Sequence, residues 1–262
     1  MDLGLTGKSV IVCASSAGLG KATAMEFARE GARVTLASRR ADALQAAAAE
    51  IKAQTGQQVR HTVADLTKAD DVARVVEEAA AAHGGVYALV NNSGGPPAGT
   101  FEQFDDAAWQ KAFELNLLSY IRTTRAALPH LRRGGGGRIV NFASSSVKSP
   151  LENLILSNTF RTGVLGLTKT LAAELGRDQI LANVVGPGRI QTERIEQLDG
   201  IRAAKSGATV EQVRAEACKA IPLGRYGQPA EMARLAVFLG SPANTYITGQ
   251  TVLVDGGMVR AY

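Results

Sequence analysis

The segment "VCASSAGLGKATA" (residues 12–24) decides the fold, because it joins an apolar strand to a helix through a glycine-containing turn. The apolar run before the turn predicts a buried strand, and the run after Gly20 predicts a helix. Gly18 and Gly20 carry no Cβ, so backbone N–H groups at the helix N-terminus can approach a phosphate group closely. The segment therefore predicts an anion-binding turn in an α/β fold, with a purely structural tight turn as the alternative.

Short apolar runs alternate with amphipathic stretches along the whole sequence. Strands are predicted near residues 9–14, 33–38, 59–65, 88–92, 138–144, 180–188 and 251–257, and helices near 20–31, 40–56, 68–83, 106–131 and 154–175. The strands are nearly all apolar, as expected when helices cover both faces of a parallel sheet. We therefore predict one α/β domain over residues 1–262, a Rossmann-type doubly wound parallel sheet of about seven strands with helices on both faces.

Three segments interrupt this alternation without dividing the domain. The stretches 95–99 (GPPAG) and 132–137 (RRGGGG) are predicted to be loops, because strands and helices continue on both sides of them. The polar, helix-prone region 192–220 lies between two strand segments, beside the carboxyl ends of the strands, where ligands bind in such sheets. We therefore predict a substrate lid at 192–220.

Composition narrows the function classes. Of the 262 residues, 45% are hydrophobic and 20% charged, no apolar run approaches the roughly 20 residues of a membrane span, and the start lacks a secretory signal. Cys13 and Cys218 share no metal-type spacing, so we expect reduced thiols, no metal and a cytoplasmic location. The net charge is +5, but Lys and Arg are scattered and form no basic stripe, which disfavours nucleic acid and favours an acidic small molecule.

The end of the second strand indicates the cofactor that the turn would bind. In dinucleotide folds an acidic residue there holds the ribose of NAD, whereas arginine suits the 2′-phosphate of NADP. This sequence has Ser38, Arg39 and Arg40, with no carboxylate. A guanidinium can hold a phosphate through two hydrogen bonds, so NADP is favoured over NAD.

The turn resembles that of the short-chain dehydrogenase/reductase family, which reads T-G-x-x-x-G-x-G, although Cys13 and Ala14 stand in place of its Thr and Gly. A positive φ at Ala14 would cost about 1 kcal/mol or more, which hydroxyl donors on Ser15 and Ser16 could offset. Further matches are "VADLT" (63–67), "VNNSGG" (90–95), which resembles N-N-A-G with Ser93 in place of Ala, "NVVGPGRIQT" (183–192) and two carboxyl-terminal signatures, "PLGRYGQPAEMA" (222–233) and "ITGQTVLVDGG" (247–257). The resemblance, which includes the 3-oxoacyl-carrier-protein reductases of this family, implies these cofactor contacts: Ala14, Ser15, Ser16, Gly18, Leu19, Gly20, Ser38, Arg39, Arg40, Asp65, Leu66, Asn92, Gly94, Arg161, Pro187, Gly188, Ile190 and Thr192.

The catalytic positions depart from the family pattern of a Ser, a Tyr 13 residues later and a Lys four beyond. The flanking motifs align Ser144 with the Ser and Asn116 with the helix asparagine that holds a water of the proton relay. Ser157 and Arg161 then occupy the Tyr and Lys positions. A hydroxyl of serine is a far weaker acid than a phenol, and Arg161 keeps the charge and can reach ribose hydroxyls but cannot pass protons. Loss of both the Tyr and the Lys should remove much of the general acid–base contribution to the rate, roughly 10²–10⁴-fold.

Two other side chains could donate the proton, each with a simpler alternative. Tyr120 lies one turn after Asn116 and could face the site, or it could be a core or subunit-interface residue. Lys148 follows the Ser144 strand and could be a solvated loop lysine. His61, His83 and His130 are predicted to lie away from the site.

Three functions remain open. The first is an NADP-dependent oxidoreductase acting on a carbonyl/alcohol pair through Ser144, Ser157 and Arg161. The second is a non-catalytic NADP-binding sensor or assembly subunit, and the third is a lyase or isomerase without net hydride transfer. Family relatives that eliminate halide keep the Tyr and have lost the glycine turn. This chain has lost the Tyr and keeps the turn, so halide elimination is disfavoured.

The resemblance also implies an assembly and a substrate charge. The helices at 106–131 and 154–175 build subunit contacts in the family, so we expect a homodimer or, preferably, a homotetramer; small and apolar residues of the second helix suit such packing, namely Gly163, Val164, Leu167 and Leu171. Basic residues near the lid point to an acidic carrier or a carboxylate, or else to a solvated helix face: Arg189, Arg194, Arg202 and Lys205.

Overall fold

The computed structural model describes residues 1–261, and its centre is one sheet of seven parallel strands. The strands are β1 (Ser9–Cys13), β2 (Arg33–Ser38), β3 (Arg60–Val63), β4 (Ala88–Asn91), β5 (Gly137–Phe142), β6 (Ile180–Pro187) and β7 (Thr251–Val254). Their order across the sheet is β3-β2-β1-β4-β5-β6-β7. The strands β1 to β3 are added toward one edge and β4 to β7 toward the other, so the order of addition reverses between β1 and β4. The predicted doubly wound parallel sheet is confirmed.

Helices connect the strands and cover the sheet. They are α1 (Gly18–Arg29), α2 (Ala41–Thr55), α3 (Ala69–His83), α4 (Asp106–Phe113), α5 (Ser119–Arg133), α6 (Ile155–Leu175), α7 (Glu193–Ser206), α8 (Val210–Lys219) and α9 (Pro229–Leu239). Short 3₁₀ turns lie at Phe101–Gln103, Ser145–Val147 and Gly176–Asp178. Within residues 1–261, no helix combines the length and apolar character that crossing a membrane would require.

Two sequence-based boundaries need correction. The single helix predicted at 106–131 is α4 and α5 joined by a π-helical segment, Glu114–Leu118, that carries Asn116. A π turn is wider than an α turn and is frequent at functional sites, because it re-aims the side chains that it carries. The loop predicted at 132–137 is shorter, since α5 continues through Arg133 and β5 begins at Gly137.

The apolar core lies on both faces of the sheet because successive side chains of a strand point to opposite faces. Val10 and Val12 of β1 pack with α1, α2 and α9 on one face. Ile11 and Cys13 of the same strand pack with α3 and α5 on the other. All five residues of β1 are therefore buried, which explains why its sequence is a continuous apolar run rather than an alternating one.

A buried polar network holds α6 against the carboxyl ends of the central strands. The Asn91 side chain of β4 donates to Asn141 Oδ1 of β5 at 2.8 Å and accepts from the Thr123 hydroxyl of α5. Asn141 in turn donates to the Thr168 hydroxyl of α6 at 2.8 Å. Buried amides that are fully hydrogen-bonded fix a single arrangement, so this network sets the position of α6 relative to the sheet.

Candidate active site

A cavity of about 890 Å³ lies at the carboxyl ends of the strands and extends from the glycine turn to α6 and α7. Its position at the reversal of strand order is where open α/β sheets bind ligands. Most of the predicted site residues line it: Ala14, Ser16, Gly18, Leu19, Ser38, Arg39, Arg40, Asp65, Leu66, Asn92, Gly94, Ser144, Ser157, Arg161, Pro187, Gly188, Ile190 and Thr192. Ser15, Gly20 and Asn116 are not part of this lining.

The glycine turn keeps its shape without the first glycine of the family pattern. Ala14 has a φ of +47°, a left-handed conformation that disfavours residues with a Cβ, and Gly18 has a φ of +53°. Gly20 is required for close packing, since a Cβ there would lie 2.3 Å from the Ala14 carbonyl oxygen. The Asn92 side chain donates to the same oxygen at 3.2 Å and braces the turn against the loop after β4.

Ser15 does not serve as a phosphate donor. Its hydroxyl donates to the Val12 carbonyl at 2.7 Å and accepts from the Ala37 N–H at 3.1 Å, and the side chain is completely buried. Ser15 instead ties β1 to β2. Ser16 faces the cavity, and its hydroxyl lies 2.9 Å from that of Ser38 at the end of β2.

The cavity wall around Ser16 and Ser38 is basic. Arg39 and Arg40 are exposed, and within residues 1–261 neither guanidinium forms a hydrogen bond or an ion pair. Partial burial raises the pKa of Asp65, but hydrogen bonds from Thr67 and the charge of Arg39 bring that pKa below its ordinary value. Two hydroxyls and two guanidinium groups at one strand end fit a phosphate group chemically.

The opposite wall holds the two serines at the catalytic positions. Ser144 Oγ accepts from the Ser146 N–H at 3.1 Å. Ser157 is half-buried on the first turns of α6, and its hydroxyl has no hydrogen-bond partner among residues 1–261. Both hydroxyls can therefore meet an oxygen of a ligand in the cavity.

Arg161 is buried and bonded within the protein. It is 5% exposed, and its Nη1 donates to the Tyr120 hydroxyl at 2.6 Å and to the Phe142 carbonyl at 2.9 Å. Its Nη2 donates to Ser93, to the carbonyl at 3.3 Å and to Oγ at 3.2 Å. No carboxylate within residues 1–261 pairs with it; its protein partners are carbonyl and hydroxyl oxygens and the ring of Tyr120, whose centroid lies 5.7 Å from Cζ. The expected direct reach of Arg161 toward a ribose is correspondingly limited, because both terminal nitrogens already have protein partners.

Asn116 lies behind the cavity wall rather than in it. Its amide nitrogen donates to Ser93 Oγ at 2.9 Å and to the Gly94 carbonyl at 2.8 Å. Its Oδ1 is buried and has no partner among the described atoms, which leaves one strong acceptor for a bound water. The π-helical segment turns the side chain toward these partners.

Neither alternative proton donor reaches the cavity. Tyr120 is buried, and its hydroxyl donates to the Phe142 carbonyl at 2.9 Å while it accepts from Arg161, which agrees with the core alternative. Lys148 is exposed and outside the cavity lining. No Tyr, His or Cys within residues 1–261 lines the cavity, and its one lining lysine is Lys205 of α7.

The region predicted to be a lid forms α7 and α8, and α7 borders the cavity. Asp199 of α7 is 3% exposed; it pairs with Arg189 at 2.8 Å and accepts from the Tyr226 hydroxyl at 2.9 Å. Burial and this hydrogen bond raise the pKa of Tyr226 to about 12. Arg194, whose pKa burial lowers, donates to the Pro96 carbonyl at 2.6 Å, so α7 also contacts the 95–99 loop.

Sequence reasoning missed two sets of residues at this site. In the sequence Ser93 is visible only as a departure from the family motif, and the sequence carries no sign of its pairing with Arg161. The Arg189, Asp199 and Tyr226 network had no local signal, because its members lie in three separate segments. Within the described chain, no three His, Cys, Asp or Glu side chains are placed to hold a metal ion.

Comparison with known proteins agrees with this geometry. Residues 13–259 match a family model described as enoyl-(acyl carrier protein) reductase. The chain is 35% identical to dehydrogenase/reductase SDR family member 4 of Bos taurus over 256 residues, covering 97% of this chain and 88% of that protein. It is 33% identical to a 3-oxoacyl-(acyl-carrier-protein) reductase of Thermotoga maritima, covering 97% of this chain and 99% of that one.

Solved structures give the same result. L-sorbose reductase from Gluconobacter frateurii, in complex with NADPH and L-sorbose, superposes with a TM-score of 0.95 at 33% identity and full coverage of both chains. An actinorhodin polyketide ketoreductase variant with NADPH gives a TM-score of 0.92 at 28% identity, covering 96% of this chain and 97% of that one. The glycine turn, the sheet order and these matches across nearly the whole chain establish that the protein belongs to the short-chain dehydrogenase/reductase family and is similar to 3-oxoacyl-carrier-protein reductases.

Proposed function

We propose that this protein is an NADP-dependent oxidoreductase that reduces a carbonyl group, with Ser144 and Ser157 facing the reacting oxygen. The observation that carries the proposal is the single cavity that joins a basic corner, lined by Arg39 and Arg40, to these two hydroxyls. Family members supply a hydride from the nicotinamide, and the related NADPH-bound reductases support this choice of cofactor. The chain's own residues bind and orient the reactants.

The cofactor preference follows from the corner formed by Ser16, Ser38, Arg39 and Arg40. A 2′-phosphate would meet a pair of hydroxyls, one of which donates to the other, and two guanidinium groups that have no partner in residues 1–261. NAD lacks that phosphate and would leave these cations without an anion. We expect NADPH to bind about 10- to 100-fold more tightly than NADH.

The substrate end of the cavity favours an anionic carbonyl compound. Arg194, Arg202 and Lys205 of α7 line it together with Arg189, which Asp199 already neutralises. Glu152 and Glu193 are the carboxylates that remain, so the basic side chains outnumber them. An acyl group on an acidic carrier or a small carboxylate fits this charge, with α7 and α8 as the substrate lid.

The proton would come from a source other than residue 157. A serine hydroxyl can hydrogen-bond a carbonyl oxygen but is a poor acid at neutral pH. The Oδ1 of Asn116 has no partner within residues 1–261 and can accept a hydrogen bond from a water molecule. We therefore propose that water delivers the proton and that Ser144 and Ser157 orient the substrate oxygen, with a rate below that of enzymes with a catalytic tyrosine.

One experiment tests this function. Calorimetry with NADPH and NADH measures the cofactor preference, and oxidation of NADPH is then followed over a panel of neutral and anionic carbonyl compounds. The comparison protein is Ser157→Tyr combined with Arg161→Lys. The proposal would be contradicted if the wild-type protein binds NADPH without oxidising it, while the double variant does oxidise NADPH.

That outcome would favour a second function, a non-catalytic NADP-binding sensor or assembly subunit. The observation in its favour is the engagement of Arg161 with Tyr120, Phe142 and Ser93, which leaves this cation less able to act on a ligand. Failure of NADPH to bind at all would contradict both functions.

We also propose that the chain assembles as a homotetramer. Trp109 and Phe113 of α4 contact Phe160 of α6 edge-on or tilted, so the two helices present an aromatic strip that is only partly buried within one chain. Val164, expected at such an interface, is instead 0% exposed inside its own chain and packs with Tyr120. Light scattering that gives a monomer would contradict this assembly.

A further inference from the structure

The Ser93 hydroxyl has a hydrogen-bonding capacity that its protein partners do not use. Its oxygen accepts from Asn116 Nδ2 at 2.9 Å and from Arg161 Nη2 at 3.2 Å. A serine hydroxyl has two lone pairs and one hydrogen, so two incoming donors occupy both acceptor positions. Within residues 1–261, the hydroxyl hydrogen has no acceptor.

Ser93 borders the cavity. The side chain is 8% exposed, and the residue forms part of the cavity lining. Because the protein supplies no acceptor for the hydroxyl hydrogen within residues 1–261, a ligand in the cavity can supply one. Because one of the donors is a guanidinium cation, the O–H bond is polarised and is a stronger donor than an isolated serine hydroxyl.

The loop that carries Ser93 belongs to the dinucleotide half of the cavity. Its neighbour Asn92 donates to the Ala14 carbonyl of the glycine turn at 3.2 Å. Gly94, on the other side, is held by Asn116 through its carbonyl at 2.8 Å. The loop is therefore fixed at both ends before a ligand arrives, as preorganised binding requires.

We propose that Ser93 is a cofactor-binding residue, and that its hydroxyl donates a hydrogen bond to an acceptor oxygen of the dinucleotide. Arg161 and Asn116 are its positioning residues, since their hydrogen bonds occupy both lone pairs and leave the hydroxyl hydrogen for a ligand. The positive charge at position 161 thus acts on the cofactor through Ser93. This inference rests on the proposed NADP-dependent function and assigns a residue of the same site.

The substitution Ser93→Ala removes the hydroxyl without leaving a buried donor unpaired. In Ser93→Ala, the Asn116 amide still donates to the Gly94 carbonyl, and Arg161 Nη2 still donates to the carbonyl of residue 93. No buried donor is left without a partner, so the fold should be retained. A matched control is Ser146→Ala, because Ser146 is also buried, its hydroxyl has no partner in the described chain and it lies outside the cavity lining.

The test is the affinity for NADPH, measured by calorimetry on wild type, Ser93→Ala and Ser146→Ala, with the Tm of each protein. Loss of one such hydrogen bond should weaken binding by Ser93→Ala about tenfold at an unchanged Tm, and Ser146→Ala should bind like wild type. Equal affinities of Ser93→Ala and wild type would overturn the inference and leave the proposed function intact. Absence of NADPH binding by wild type would overturn both.

A double substitution tests the role given to Arg161. If Arg161 acts on the cofactor through Ser93, then Arg161→Met should weaken NADPH binding in the wild-type background and have a much smaller effect in the Ser93→Ala background. Additive losses would show that Arg161 contacts the dinucleotide independently and would overturn the positioning role.

Discussion

The arginine side chains at the two ends of the cavity differ in whether they have hydrogen-bond partners within the protein. At the end of β2, Arg39 and Arg40 are exposed and have no hydrogen-bond partner in residues 1–261. On the catalytic wall, Arg161 is buried and donates to Tyr120, Phe142 and Ser93. Both ends are basic and both border the same cavity, yet only the first has arginine side chains without protein partners in residues 1–261.

This difference separates binding groups from structural ones. A polar group that a folded chain leaves without a partner, at a concave surface, is available to a ligand, whereas a buried group must be satisfied by the chain itself. Substitutions at the β2 end should therefore change cofactor affinity with little change in stability. Substitutions of Arg161 should change stability first.

The largest expected effect is the loss of the turn that both ends depend on. In Gly20→Ala the new Cβ would lie 2.3 Å from the Ala14 carbonyl oxygen and 2.9 Å from Asn92 Nδ2. A backbone clash cannot be relieved by rotating a side chain, so the free energy of unfolding should fall by about 3 kcal/mol. Urea denaturation followed by circular dichroism measures this loss.

The matched control is Gly166→Ala in α6, where an added Cβ has no atom within 4 Å. Alanine is the better helix former, so this variant should keep or gain up to about 1 kcal/mol of stability. Similar stabilities for Gly20→Ala and Gly166→Ala would mean that the turn is not packed as described.

A crossed pair of arginine substitutions tests the comparison directly. Arg161→Met removes buried, charge-assisted hydrogen bonds and should lower the free energy of unfolding by about 2 kcal/mol. Arg39→Met removes an exposed side chain and should change stability by less than about 0.5 kcal/mol, but it should weaken NADPH binding about tenfold. Denaturation and calorimetry on both variants separate the two roles, and a stability loss in Arg39→Met equal to that in Arg161→Met would erase the distinction.

The sheet and the turn could be predicted because their signals are local. The apolar run of β1 is buried on both faces, and Gly18 and Gly20 mark the turn whichever helices pack around it. The π-helical segment had no such signal. Its extra width depends on Asn116 reaching Ser93 and Gly94, which lie more than twenty positions away in sequence.

At the catalytic wall, spacing located the residues but not their contacts. Motif spacing predicts Ser144, Ser157 and Arg161 at the catalytic positions, and all three line the cavity. The direction of a long side chain depends on what surrounds it, and the acceptors of Arg161 come from β5, α5 and the loop after β4. The prediction that Ser15 donates to a phosphate is wrong for the same reason. Its proximity to the glycine turn in sequence does not reveal that its hydroxyl bonds to β2.

Ala14→Gly should relieve the strain at the turn and is the next smaller effect. Ala14 has a φ of +47°, which costs an L-residue about 1–2 kcal/mol, and glycine recovers this at an entropic cost of about 0.4–1 kcal/mol. The net gain in stability should be about 0.5–1 kcal/mol, measured by denaturation. Ala22→Gly, in the interior of α1, is the opposite control and should lose about 1 kcal/mol; a loss in both variants would contradict a strained Ala14.

The smallest effect concerns Cys13, directly before Ala14, whose burial raises the pKa of its thiol from 9.0 to about 12. Only a thiolate reacts with disulfide reagents, so at pH 8 native protein should react through Cys218 alone, and Cys218→Ser should not react until it is denatured. Because the folded state favours the neutral thiol, the stabilisation is complete below pH 9 and is lost as the pH rises from 9 to 12. Rapid labelling of Cys13 in the native Cys218→Ser protein would show that the turn opens readily. β1, which leads into the glycine turn, would then be as accessible to solvent as the exposed arginines at the end of β2.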